Sequence, residues 1–311
     1  MSKKMLGSRP MEIPFTGYLD TLSRVFAHSF RHIPTNLISR SWGRFARTNA
    51  SKQLIGPFAK VFRIATNEAE KDIEEYANLN DFFTRRLKPG ARPIDENPHI
   101  LVSPVDGAVS FSGQCIQNRL IQIKGIYFDL FGLLRDGPMS KHFEDGQYAT
   151  LYLSPQDYHR VHAPLDMSIT GIGYMPGTLL PVNRPSVRWV PDLYTQNERL
   201  MIYADTPCGP IALVLVGAQC VGYISLTFSD FITNRPGLGP ARLNFASPIN
   251  VNKGQELGAF EMGSTVVMLL TKDRAKFEFP ESDLPVRVGQ RIGSFLDPVS
   301  AESDQNSGGK K

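Results

Sequence analysis

Cysteine is scarce in this 311-residue chain, and the three present (Cys115, Cys208 and Cys220) form no Cys-x-x-Cys pair. That odd count and spacing exclude a disulfide framework and a cysteine-built zinc site, and fit a reducing compartment. A continuous apolar core is missing from Met1 to Pro14, so no signal peptide is expected. Internal repeats are absent. One stretch, Ile211 to Ser229, carries no charge and approaches membrane-spanning length. Its Gly217, Gln219, Gly222, Ser225 and Thr227, set among β-branched and aromatic residues, fit two buried strands joined by a tight turn instead.

What is present describes an ordinary globular protein: 41% apolar and 21% charged residues. The net charge of +4 hides an asymmetry. Residues 1–63 hold eleven Lys/Arg against Glu12 and Asp20, a local charge of +9 that leaves the rest of the chain at −5. Basic charge gathered at one end suggests an anionic surface as partner. No nucleic-acid partner is expected.

The first 80 residues read as helices. Phe15, Leu19, Leu22, Phe26 and Phe30 share one face; Leu37, Ile38, Trp42 and Phe45 form a second set; Phe58, Val61, Phe62 and Ala65 form a third. Such faces, with arginines between the apolar positions, pack on a protein body or lie in a lipid interface equally well, and the local charge of +9 favours the interface. His28 and His32 stand one helical turn apart without a third ligand nearby, so no metal is expected.

After Lys88-Pro89-Gly90 the pattern changes. Short apolar runs alternate with Gly, Pro and Asp: Ile100–Val102, Ala108–Phe111, Leu120–Ile123, Ala149–Leu153, Ile211–Val216 and Val266–Leu270. The expected fold class is α+β, with N-terminal amphipathic helices followed by a mostly antiparallel β barrel or sandwich core. Three regions follow: a helical membrane-associating segment over 1–80, a β-rich catalytic core over 81–299 and a disordered polar tail over 300–311. Phe128 to Arg135 reads as one short helix.

Three places carry chemistry. Asp106-Gly107 taken alone is a hairpin turn. Tyr158-His159-Arg160-Val161-His162 puts two imidazoles in a proline-bounded loop. Gly263-Ser264-Thr265 runs into an apolar strand, where a glycine lets a serine bend back on the carbonyl before it. Together, Asp106, His162 and Ser264 supply orienter, base and hydroxyl for nucleophilic chemistry, since imidazole titrates near ~6.5 and suits the base. Two other readings remain open. One is a zinc hydrolase built on Asp106, His159 and His162. The other is a non-enzymatic lipid-binding β module.

The chain resembles the phosphatidylserine decarboxylases of the shorter bacterial type. The resemblance covers about Asn80 to Gln290. It rests on Asn80-Asp81-Phe82-Phe83-Thr84-Arg85, Arg92-Pro93-Ile94, Pro104-Val105-Asp106-Gly107, Leu151 to His162, Met175-Pro176-Gly177, Asn197-Glu198-Arg199, Lys253 to Gly258 and Phe260 to Thr265. The chain departs from the family at Met262, where leucine is usual, at Ile126, where histidine is frequent, and over Tyr223 to Leu243.

The resemblance implies self-cleavage between Gly263 and Ser264. Asp106 and His162 would serve as a charge relay to Ser264, and the fragments would be β (1–263) and α (264–311), with further dimerisation left open. Ser264 would become a covalent pyruvoyl cofactor, whose ketone forms a Schiff base with the amine of phosphatidylserine and accepts electrons as CO2 leaves. His159 is the candidate proton donor to the product, phosphatidylethanolamine. The implied location is peripheral, on the cytoplasmic face of the cell membrane, against an anionic surface.

Overall fold

The computed structural model describes residues 18–30, 33–123, 125–220, 223–261, 264–279 and 284–296. Phe15, His32, Met262, Gly263 and the tail 300–311, singled out above, lie outside the described residues. The helices are α1 (Tyr18–Ser29), α2 (Thr35–Ala46), α3 (Ile55–Val61), α4 (Leu79–Phe83), α5 (Leu130–Leu134), α6 (Gly137–His142), α7 (Arg184–Trp189) and α8 (Leu193–Gln196). The first eight strands are β1 (Ile100–Val102), β2 (Gly107–Gln114), β3 (Arg119–Ile123), β4 (Ile126–Asp129), β5 (Gln147–Leu153), β6 (Arg160–His162), β7 (Met167–Met175) and β8 (Arg199–Asp205). They continue as β9 (Ile211–Gly217), β10 (Ile224–Leu226), β11 (Ala241–Val251), β12 (Glu256–Phe260), β13 (Ser264–Leu270), β14 (Ala275–Phe277), β15 (Pro285–Val286) and β16 (Arg291–Phe295).

An eight-stranded antiparallel sheet in the order β11-β7-β8-β9-β13-β5-β2-β15 organises the molecule. It is open at both ends, so the fold is sandwich-like and not a closed barrel. One face packs on the small sheets β1-β16-β14 and β10-β12-β6, with Val266, Met268 and Leu270 pointing into that core. The opposite face carries Val267 and Leu269 and is covered by the β3–β4 hairpin and helices α5, α7 and α8. Burial on both faces explains why Val266–Leu270 is continuously apolar instead of alternating. Each of those side chains contributes about 2 kcal/mol by leaving water. β13 is therefore among the best-anchored strands in the chain.

Two local readings change. The charge-free run over 211–229 does form two strands, but they do not turn back on each other. β9 enters the large sheet between β8 and β13, whereas β10 pairs with β12. The helix expected over Phe128–Arg135 is shorter, because Asp129 ends β4 and caps α5 by accepting from the Gly132 N–H.

The N-terminal helices pack through small residues. α2 buries Thr35, Ser39, Gly43 and Ala46, while Leu37 (61% exposed), Ile38 and Phe45 face outward. A third core joins Ala46, Ile55 and Ala59 to Leu79 and Phe82 of α4. α2 is fastened by polar contacts to the segments that follow β7, β9 and β10. Asn36 Nδ2 donates to the Gly177 carbonyl at 2.8 Å, Cys220 N–H donates to Ser39 Oγ at 3.0 Å, and Arg40 Nε donates to Asn234 Oδ1 at 3.0 Å.

Candidate active site

Ser264 opens β13 with Leu153 of β5 and Gly217 of β9 as its register partners. Its side chain is fully buried and its Oγ has no hydrogen-bond partner; Thr265 Oγ1 is in the same condition. Buried hydroxyls are nearly always paired, so two adjacent orphans at the head of a central strand stand out, although Thr150, Ser186 and Tyr203 elsewhere also carry unpartnered hydroxyls. The residues just before it, Met262 and Gly263, are outside the described set.

The loop after β5 carries His159, and β6 ends on His162. Asp157 Oδ2 accepts from both the N–H and the Oγ of Ser154, which closes the loop on itself. His159 is fully buried, with its ring 4.0 Å from that of Phe83, and its carbonyl accepts from Phe260 N–H. The loop thus touches the approach to Ser264 from the β12 side and leaves β5 next to Leu153, Ser264's register partner. His159 Nδ1 lies 2.9 Å from the Asp157 carbonyl. A carbonyl only accepts, so Nδ1 carries the proton and Nε2 holds a lone pair, which has no partner. Burial, and then the charge of Arg85, lower the His159 pKa to about 3. The imidazole is neutral.

His162 is placed differently. Its backbone N–H donates to Pro104, and its Nδ1 donates to the Gly254 carbonyl at 2.8 Å. Gly254 has φ +78°, and a Cβ there would fall 2.8 Å from Ile94, so this turn requires glycine. His162 Nε2 accepts from Tyr158 Oη at 3.1 Å. Burial pushes its pKa down. It faces a cleft of about 240 Å³ bordered by Arg86, Arg92, Tyr158 and Glu256.

Asp106 lies on the segment next to His162, but no hydrogen bond joins the two. The Asp106 carboxylate accepts from Arg92 Nε at 2.9 and 3.0 Å and from Val288 N–H at 2.9 Å, and forms an ion pair with Arg92 Nη2. Arg92 also holds Glu68 at 2.8 Å. Burial would lower the Arg92 pKa, but the two carboxylates outweigh it and raise the pKa. Asp106-Gly107 is not a hairpin turn. It leads into β2, where a Cβ on residue 107 would lie 2.3 Å from the Tyr152 carbonyl.

A family model described as phosphatidylserine decarboxylase matches residues 79–294. The chain belongs to the phosphatidylserine decarboxylase family. Among its relatives, a phosphatidylserine decarboxylase proenzyme of Anaeromyxobacter sp. (strain K) is 43% identical over 278 residues, covering 87% of this chain and 98% of that protein. The proenzyme of Myxococcus xanthus (strain DK1622) is 44% identical over 237 residues, covering 76% and 84%. That of Shewanella sp. (strain W3-18-1) is 39% identical over 279 residues, covering 86% and 96%. The chain is thus an enzyme of the carboxy-lyase class.

The partners that the fold gives Asp106, His159 and His162 were not read from the sequence. Arg92 as the clamp on Asp106, Tyr158 as the donor to His162 and Arg85 behind the histidine loop were each inside quoted motifs, though nothing in the spacing linked them. Among the described residues no group of three or more His, Cys, Asp or Glu side chains converges. The zinc-hydrolase reading has no ligand set there.

Proposed function

We propose that this chain is made as a precursor, cuts itself between Gly263 and Ser264, and then decarboxylates phosphatidylserine at a membrane surface. The observation that carries this reading is the fully buried, unpartnered Ser264 Oγ at the head of β13, bracketed by the loop that bears His159.

In maturation Ser264 Oγ gives up its proton and attacks the Gly263 carbonyl, which turns the peptide into an ester. Loss of the Ser264 α-proton then expels the Gly263 carboxylate and breaks the chain. The resulting dehydroalanine tautomerises to an imine, which water hydrolyses with release of ammonia. Ser264 thereby becomes a pyruvoyl group at the start of the α fragment (264–311). We assign the relay for this stage to Asp106 and His162. His162 must first exchange its Tyr158 contact, because Nε2 is its only unprotonated nitrogen. The two fragments stay together because β13 is hydrogen-bonded on both sides by strands of the β fragment.

The site suits a pyruvoyl group, since Ser264 is walled from water and its oxygen is bound by nothing else. When formed, the ketone supplies an electron sink for the carbon that loses CO2. His159 is neutral with a free Nε2, and we assign it the proton traffic of the cycle. It takes a proton at Nε2 as the substrate amine becomes reactive and returns it to the carbon vacated by CO2.

The outward-facing Leu22, Val25, Leu37, Ile38 and Val61, among Arg24 of α1, Arg40 and Arg44 of α2 and Lys60 of α3, support docking on an anionic bilayer. No helix among the described residues is long and apolar enough to cross a membrane. The unpaired Cys115, Cys208 and Cys220 fit a reducing, cytoplasmic side.

Intact-mass spectrometry of the purified protein tests the reading. It should find chains 1–263 and 264–311, the second lighter by one ammonia than its sequence. One uncut chain that still releases CO2 from phosphatidylserine would refute it. His162→Ala should block cleavage, whereas His159→Ala should cleave and release no CO2.

A further inference from the structure

We propose that Arg85 is a positioning residue for His159: its guanidinium fixes the Asp157 carbonyl that holds the imidazole in a single tautomer. The inference rests on the reading of His159 as the proton carrier of the decarboxylation cycle.

Arg85 follows α4 and is 4% exposed. Its Nη2 donates to the Gln156 carbonyl at 3.1 Å and to the Asp157 carbonyl at 3.2 Å. The Asp157 carbonyl is also the acceptor for His159 Nδ1–H, at 2.9 Å. One oxygen therefore receives two donors, one from the buried cation and one from the imidazole. Phe83, two residues before Arg85, packs on the same imidazole with ring centres 4.0 Å apart and planes tilted by 42°. The end of α4 grips His159 twice, by a ring contact and by the carbonyl that orients it.

The alternative is a plain strut under the loop. A strut of this kind does not need a charge. Arg85 keeps its guanidinium in the interior with Nε and Nη1 unpartnered, and burial lowers its pKa. Unpaired buried donors are costly, and neutral side chains can hold a carbonyl without that penalty. The cation does two things a neutral strut does not. It pulls the Asp157 carbonyl into one orientation by a charge-assisted bond, and it opposes a second positive charge on His159. Arg85 is the charged group acting on the His159 pKa, which burial lowers first. Both effects leave Nε2 unprotonated and ready to accept.

The tautomer can be read directly. In the full-length chain carrying Ser264→Ala, which keeps one uncut species, 15N-labelled histidine spectra distinguish Nδ1–H from Nε2–H among the six histidines. His159 is expected as Nδ1–H. Adding Arg85→Gln should produce a population of Nε2–H, while Arg85→Lys, which still donates a charged N–H, should keep Nδ1–H. In the cleaved enzyme Arg85→Gln should lower kcat about tenfold or more with KM within about twofold, and Arg85→Lys should restore most of it.

Finding His159 as Nε2–H in the Arg85 protein would overturn the proposal, and that measurement needs no folded Arg85 variant. So would an unchanged tautomer and kcat in Arg85→Gln. A raised KM with unchanged kcat would place Arg85 on the substrate instead and equally overturn it. Parental CO2 release by His159→Ala would sink the underlying reading while leaving the tautomer result intact.

Discussion

Arg47, the residue that closes α2, forms an ion pair with Glu261, three residues before Ser264, and stacks its guanidinium 4.2 Å from the ring centre of Tyr223. The N-terminal helices are therefore fastened to the segment that leads into the proposed cleavage site. Arg47→Glu should slow maturation, and Glu261→Arg should slow it similarly, by about two- to fivefold for a half-exposed pair. The double exchange should recover most of the rate. Time-resolved separation of precursor and fragments reads this, and equal rates in all four proteins would show that the pair does not position the loop.

The Asp106–Arg92 pair makes a sharper demand. Removing Arg92 leaves a nearly buried carboxylate with only the Val288 N–H, a loss of about 3 kcal/mol or more. Arg92→Ala should therefore melt well below the parent in the uncut Ser264→Ala background. Asp106→Asn should melt nearer the parent, because Arg92 retains Glu68. If Asp106 also orients His162, Asp106→Asn in the otherwise native chain should remain uncut although folded. Normal cleavage by that variant would remove Asp106 from the relay.

A buried neutral histidine also shapes acid stability. His159 has a pKa lowered to about 3 in the fold, against about 6.5 in the unfolded chain. As pH falls through 6.5 the unfolded chain takes up a proton that the fold refuses until about pH 3. Stability then declines by up to about 1.4 kcal/mol per pH unit. His162, also lowered by burial, acts in the same direction. Asp157 and Glu198 act oppositely, since burial raises both carboxyls and acid relieves them. The contrast with His159→Gln isolates one group. In the uncut background, urea unfolding between pH 7 and 5 should show a shallower slope for that variant, and identical slopes would mean His159 is charged in the fold.

The strands were legible because both-face burial writes itself as short apolar runs, and Val266–Leu270 is the clearest case. The place of Ser264 at the head of a buried strand was legible because its glycine and its apolar strand are adjacent in sequence. Partnerships across the chain were not. Arg92 and Asp106 lie fourteen residues apart, and Arg47 and Glu261 lie more than two hundred apart. Nothing in local periodicity couples either pair. The 211–229 run looked like a hairpin because local patterns show two strands without showing which sheet each joins. Of the two readings open for the apolar face of α2, the fold does not use the packing one for Leu37, Ile38 and Phe45: close approach to Gly177 and Cys220 admits only small residues, and the large ones point outward.

That inversion gives the clearest membrane test. Deleting residues 1–63 would also remove the contacts of α2 with Gly177, Cys220, Asn234 and Glu261, so loss of binding would be ambiguous. Replacing only exposed side chains avoids this. Leu37→Ser, Ile38→Ser and Val61→Ser remove apolar surface from positions that the fold leaves in water, Val61 being 72% exposed. The triple variant should melt within about 1 °C of the parent, as surface changes with no packing role do. It should bind vesicles containing phosphatidylserine at least about tenfold more weakly, by loss of the area those three side chains insert. Binding by the parent should also weaken as salt rises from about 0.1 to 1 M, because screening then shortens from about 10 to 3 Å. Decarboxylation of a short-chain, water-dispersed substrate should be unaffected in the triple variant, separating docking from chemistry. Vesicle sedimentation that matched the parent at every salt concentration would show that this face does not meet the bilayer.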